Sequence, residues 1–316
     1  MTMSLPPSSR QTRQAAKALA ANRTPANGTP DAAGLTGSDQ TVPQLSEDLS
    51  PDAPSSNNVT ALPSDLGRGV TGLRPTQHRL LLKKQALLRQ HGVTLPAGLG
   101  APARKAADAT LVFAQREAGT AVCVSAGGLL LTCAHCVAET PKDFEAAREH
   151  WLLFASGRAV RARCVAWDPK RDLALLMVTA AQPGDAGAAA FPCLAVARAA
   201  PALSAGLVCV GHPRGEDLAA ARPGARPLYD ILHVSTGAYR GLAAGQDAQD
   251  NSEIGALMHD CWTYWGHSGA PLVERKTGQL VGLHSSWDDA TGVRRGVALE
   301  ALREFLAATR LVPVPP

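Results

Sequence analysis

Large aromatic side chains are scarce in this chain and missing altogether from its first third. The 316 residues include 5 Phe, 5 Trp and 3 Tyr, all of them at or beyond Phe113. Residues 1–112 therefore lack the groups that supply much of a core's buried area. The part able to fold around a substantial core starts at roughly position 108 and spans about 200 residues, a usual size for one all-β domain.

Other absences narrow the function. No run of 18 apolar residues occurs, so no transmembrane segment is expected. Residues 1–30 contain no continuous apolar stretch, which argues against a secretory signal peptide. Charged residues make up only 18% of the chain, with a net charge of +4 and no dense Lys/Arg stripe. No nucleic-acid partner is expected from that composition. Seven cysteines stand at positions 123, 133, 136, 164, 193, 209 and 261, an odd number that cannot all pair within one chain. They read as mostly reduced thiols in an intracellular protein, cytoplasmic or nuclear. The first thirty residues carry Arg10, Arg13, Lys17 and Arg23 and no acid. That composition suits a mitochondrial presequence and an ordinary basic tail alike.

What is present falls into three stretches. Residues 1–75, rich in Pro, Ala, Ser, Asn and Thr without apolar periodicity, read as a disordered tail. Residues 76–107 read as a basic amphipathic helix, Gln77 to His91, and a linker. Thr76 is its candidate N-cap and Gly92 stands just past its end. Residues 108–316 then form the main folded domain. From Ala109 the texture is one of short β-type runs between Gly and Pro, among them Leu129–Thr132, Ala159–Trp167, Leu173–Val178 and Leu280–His284. Such spacing predicts an all-β sandwich or barrel. Apolar positions in Leu299–Arg310 predict a closing helix.

Three motifs carry chemistry. Leu130-Leu131-Thr132-Cys133-Ala134-His135 is an apolar strand delivering a histidine into a turn. Arg171-Asp172-Leu173-Ala174-Leu175 sets an aspartate at the mouth of a buried strand. Gly266-His267-Ser268-Gly269-Ala270-Pro271 places a serine between glycines. A serine hydroxyl needs a neighbouring base to become a nucleophile at neutral pH, and an imidazole serves. A carboxylate fixes that imidazole's tautomer and stabilises the imidazolium. Acyl transfer also needs donors aimed at the developing oxyanion, which the Gly266 and Ser268 N–H groups can supply. His135 precedes Asp172 by 37 residues, and Asp172 precedes Ser268 by 96. That spacing puts base and carboxylate in one half of the domain and the nucleophile in the other.

These residues resemble the trypsin/chymotrypsin-fold serine proteases, and their HtrA-like branch more than the digestive one. Gly119-Thr120-Ala121-Val122, Asp172-Leu173-Ala174-Leu175-Leu176, Gly211-His212-Pro213 and Thr277-Gly278-Gln279-Leu280-Val281-Gly282 carry the likeness, which covers about Ala109 to Arg310. It implies an all-β domain of two antiparallel six-stranded barrels with a C-terminal helix, polypeptide substrates and no cofactor. His267 stands where digestive enzymes keep an aspartate for a newly cut N-terminus, so activation by that cleavage is not expected. A PDZ module is not expected either.

In this fold the residue about six before the nucleophile lies near the base of the primary pocket, which here is Trp262. With no carboxylate there, a preference for Lys or Arg is disfavoured and small or medium apolar residues are expected. His284, Ser285 and Ser286 are expected to border the cleft. Three alternatives compete. An α/β-hydrolase needs Gly-x-Ser-x-Gly, which Ala270 breaks. Zinc at Cys133, His135 and Cys136 lacks a second ligand pair, so no metal is expected. The third is a catalytically silent protease fold kept as a binding scaffold.

Overall fold

A computed structural model describes residues 59–67, 70–116, 118–184, 190–213, 231–288 and 290–311. The first barrel is built from β2 (Thr110–Phe113), β3 (Thr120–Cys123), β4 (Leu129–Thr132), β5 (Glu149–Phe154), β6 (Ala159–Asp168) and β7 (Leu173–Ala181). Antiparallel pairing runs β7-β4-β3-β2-β5-β6, and β6 pairs back onto β7 to close the ring. The second is a closed barrel of β8 (Gly206–Gly211), β9 (His233–Leu242), β10 (Leu257–His259), β11 (Pro271–Glu274), β12 (Leu280–Trp287) and β13 (Arg294–Ala298), in the order β10-β13-β12-β11-β8-β9. The expected pair of six-stranded antiparallel barrels is what forms. The closing helix, Leu299–Thr309, follows directly on β13.

Side chains on a strand alternate between faces, and here both faces are buried. Leu111, Phe113, Leu130, Leu152, Phe154, Ala174 and Leu176 join in one cluster drawn from all six strands of the first barrel. Their neighbours Val112, Leu129, Leu131, Leu153, Leu173 and Leu175 face the other way, into a cluster shared with Val208, Val210, Val273 and Leu283 of the second barrel. That shared cluster is the mortar between the barrels. It explains why the strands read as continuous apolar runs rather than alternating ones.

The N-terminal elements pack on this frame. A short strand, β1 (Thr60–Ala61), pairs in parallel with Ala180–Ala181, and Leu66 is buried. The tail expected over residues 1–75 lies outside the described residues up to position 58, while Val59, Leu62 and Leu66 pack against the barrel clusters. Helix α1 spans Pro75–His91. It begins one residue ahead of Thr76, because Pro75 is preset for the first helical position and the Gln77 side chain accepts from the Arg74 N–H at 3.0 Å. Leu81 and Leu88 of α1 enter the shared cluster. A second helix, α2 (Ala101–Ala109), occupies the second part of what reads as linker in the sequence. The short helix after β4, Ala134–Val137, is α3, and the closing helix is α4.

Candidate active site

The two barrels are joined where the three motifs meet. The Thr120 N–H donates to the Ser268 carbonyl at 2.9 Å, and the Thr120 hydroxyl to the Gly266 carbonyl at 2.8 Å. The Gly119 N–H also reaches the Gly266 carbonyl, at 3.2 Å. The loop ahead of β11 is thereby tied, residue by residue, to the first barrel. Gly269 adopts φ 84°, and its N–H donates to the His284 carbonyl at 2.8 Å. A β-carbon there would run into the Thr120 carbonyl, so only glycine fits.

His135 sits in α3, delivered by β4, and Asp172 stands at the entry to β7. The Asp172 carboxylate faces His135 Nδ1 at 2.9 and 3.1 Å and accepts from the His135 backbone N–H at 3.3 Å. It also accepts from the Ser285 hydroxyl at 2.7 Å. The aspartate side chain is 1% exposed against 12% for the imidazole, so the pair presents its histidine end to solvent. Asp172 is one of three described non-glycine residues with positive φ, at 56°. Aspartate is among the residues that tolerate that region.

Ser268 is half-buried, and its hydroxyl donates to the Ser285 carbonyl at 3.2 Å. No hydrogen bond joins it to His135 among the described residues. Ser285 thus links the serine, through its carbonyl, to the aspartate, through its hydroxyl. The Gly266 and Ser268 N–H groups donate to no other described residue, and Gly266 adopts φ 99°.

Around the serine the interior is crowded with buried imidazoles. His267 is wholly buried and held at about 3, first by burial and then by the charge of His233. His259 is likewise held at about 3, and burial drives His284 well below the usual histidine range. His259 Nε2 and His284 Nδ1 lie 3.1 Å apart. Of the other residues expected to border the cleft, Trp262 packs edge-on to His233 at 4.7 Å, and its carbonyl accepts from Ser235 at 2.7 Å. The Ser286 hydroxyl is buried without a partner. Trp265 and Trp287, which sequence reasoning did not connect, meet edge-on at 5.3 Å.

All seven cysteines are free thiols rather than halves of disulfides. Burial pushes the Cys136 thiol up to about 12, with the Asp172 charge adding to it, so it stays protonated beside His135. Among the described residues, one grouping could converge on a metal ion: Cys133, His135 and Asp172, whose donor atoms lie within 4.8 Å of one another. It includes the His135–Asp172 pair itself, so a metal there would displace the Nδ1 proton. Cys136 and Cys123 are not part of it.

The trypsin-like peptidase domain matches residues 119–283, just over half of the chain. The chain belongs to the trypsin-like peptidase family. It is therefore a protease by family, and polypeptides are its substrate class. Among solved structures, a serine endoprotease from Yersinia pestis is similar at 20% identity, covering 69% of this chain and 68% of that one, with a TM-score of 0.49. The HtrA-type protease AlgW with decapeptide is also 20% identical, covering 60% of this chain and 50% of that one, with a TM-score of 0.44. No curated protein matches the chain in sequence. No helix among the described residues is long and apolar enough to cross a membrane.

Proposed function

We propose that this trypsin-like peptidase is a serine endopeptidase working through an acyl-enzyme on Ser268. The observation that carries the proposal is the Asp172–His135 pair, bonded at 2.9 Å through Nδ1. It leaves Nε2 as the nitrogen for the nucleophile. Ser268 Oγ attacks the scissile carbonyl while its proton passes to His135 Nε2. The oxyanion is met by the Gly266 and Ser268 N–H groups, a term that removal of one donor commonly lowers by about a hundredfold. The imidazolium then gives its proton to the leaving amine as the C–N bond breaks. Water attacks the ester, its proton goes to His135, and the serine recovers a proton as the ester bond breaks. Asp172 holds the Nδ1–H tautomer throughout.

Ser285 acts in this reading as a positioning residue, because its hydroxyl fixes the carboxylate that fixes the ring. The absence of a carboxylate at Trp262 supports rejection of Lys and Arg at the cleavage site. Selection among other side chains depends on the charge of the pocket wall.

One observation favours the scaffold reading: the Ser268 hydroxyl donates to the Ser285 carbonyl instead of to His135. Rotation about χ1 redirects it, and hydrogen bonds of this kind often tighten only with substrate bound. Incubating an unfolded protein substrate with wild type, Ser268→Ala and His135→Ala separates the two. Wild type is expected to cleave it, and each variant to lose a factor of about 10³ or more. A folded wild type that cleaves nothing supports the scaffold.

A further inference from the structure

Near the serine loop lies a cation with no carboxylate partner among the described residues. Arg294 opens β13 and stands directly opposite His259 on β10 and Trp287 on β12. Residues opposed across neighbouring strands project from the same face. From that face Trp287 meets Trp265, three residues before Ser268, and His259 meets His284, whose backbone pairs with Gly269 and Ala270. Arg294 therefore projects toward the loop that carries the nucleophile.

Its guanidinium is half-buried. Nη1 donates to the Gly292 carbonyl at 2.8 Å, while Nε is buried with no partner. No described carboxylate pairs with it, and burial alone lowers its affinity for its proton. Two nearby acids among the described residues are committed elsewhere. Asp260 bonds Arg240 at 2.7 Å and the Ala238 N–H, and Asp288 accepts from the Ala290 and Thr291 N–H groups at 3.0 and 3.1 Å. Burial first, with the Arg294 charge adding to it, keeps His259, His267 and His284 neutral. Among the described residues, the side chains that share its face or meet it there are thus neutral imidazoles and two indoles.

A partly desolvated cation with unused donors is satisfied by an anion, and a carboxylate matches its planar fork. We propose that the primary pocket takes an acidic side chain, so that cleavage follows Asp or Glu, with Arg294 as the specificity-determining cation. When His259 donates from Nε2 to His284 Nδ1, His284 keeps its own proton on Nε2 as a second donor. The assignment rests on the serine-protease reading above and departs from the apolar preference expected from Trp262. That indole is engaged with His233 and stacked on Tyr264.

The test uses the full chain and peptides identical except for the residue before the scissile bond: Glu, Gln, Asp, Asn, Ala and Lys. Wild type, Arg294→Gln and Arg294→Lys are compared, each titrated with a fluorophosphonate to count working sites. Wild type should cleave after Glu or Asp with kcat/KM about tenfold or more above the amide isosteres, as befits a hydrogen bond to a charged group. Arg294→Gln should erase that ratio while still titrating, and Arg294→Lys should keep part of it. Equal or faster cleavage after Ala or Lys overturns the proposal, as does an unchanged ratio in Arg294→Gln. If Arg294→Gln does not fold, the wild-type ratio and the lysine variant decide. Titration without any cleavage after Asp or Glu sinks the pocket alone. Neither titration nor cleavage sinks the protease reading beneath it.

Discussion

The Asp172 carboxylate accepts from the His135 ring, the His135 backbone and the Ser285 hydroxyl. Its left-handed backbone costs about 1–2 kcal/mol, which those bonds offset. Ser285→Ala removes one charge-assisted bond worth about 1.5–3 kcal/mol. A kcat reduced by about tenfold with KM nearly unchanged is expected, and steady-state kinetics on one peptide checks it. Gly269→Ala combines a positive φ with a collision against the Thr120 carbonyl. It should lower stability by more than about 1 kcal/mol, visible as a reduced Tm, and detach the serine loop from the first barrel. His135, Asp172 and Ser268 could be read from the sequence because each sits in a short local motif. Ser285 was expected only as a residue bordering the cleft; its bond to Asp172, 113 residues away, and the place of Arg294 could not be read, since their partners are remote. Arg294 takes its meaning only from the register that sets it beside Trp287 and His259.

At the scale of elements, α1 is fastened by polar as well as apolar contacts. Lys84 is buried and donates to the Phe113 carbonyl at 2.9 Å and the Arg116 carbonyl at 2.5 Å. Gln85 donates to the Gly157 carbonyl and to Gln182, each at 2.8 Å. Lys84→Met would leave two carbonyls short of a donor and cost about 1–3 kcal/mol. Leu88→Ala would cost about 2–5 kcal/mol. Urea unfolding of the full chain measures both, and a helix merely resting on the surface would show neither loss. Cap signals revealed α1 and periodicity α4, but neither revealed α2, whose buried positions are all alanines: Ala103, Ala106, Ala107 and Ala109. Alanine lets a helix approach closely but gives no apolar signal. The three residues of β10, the proline at the head of β11 and the paired arginines of β13 likewise hide strands that only barrel closure creates.

The whole molecule keeps several histidines neutral in its interior. His150, His259 and His267 are held at about 3, and His212 and His284 well below their usual range, burial being the main cause in each. These values lie below the unfolded-state value of about 6.5, so the unfolded chain binds more protons between the two. The associated stability is complete above about pH 6.5 and is lost as pH falls toward about 3, by about 1.4 kcal/mol per pH unit per histidine at most. Tm should therefore drop steeply from pH 7 to pH 5, and a flat profile would contradict buried neutral imidazoles. The all-β class was legible in short β-type runs with glycine breaks, and the two-barrel architecture in the family resemblance that the three motifs carry. The buried histidine cluster was not, since single histidines scattered along a chain give no sign of convergence.

The proposed role of Ser268 as nucleophile, activated by His135 and Asp172, underlies every other role assigned at the site. The most direct measurement is the mass of the folded protein after treatment with a fluorophosphonate, followed by mapping of the adduct. One equivalent on Ser268 is expected, absent in Ser268→Ala and formed far more slowly in His135→Ala. A folded wild type that takes up no label, or takes it up at another residue, would contradict the assignment.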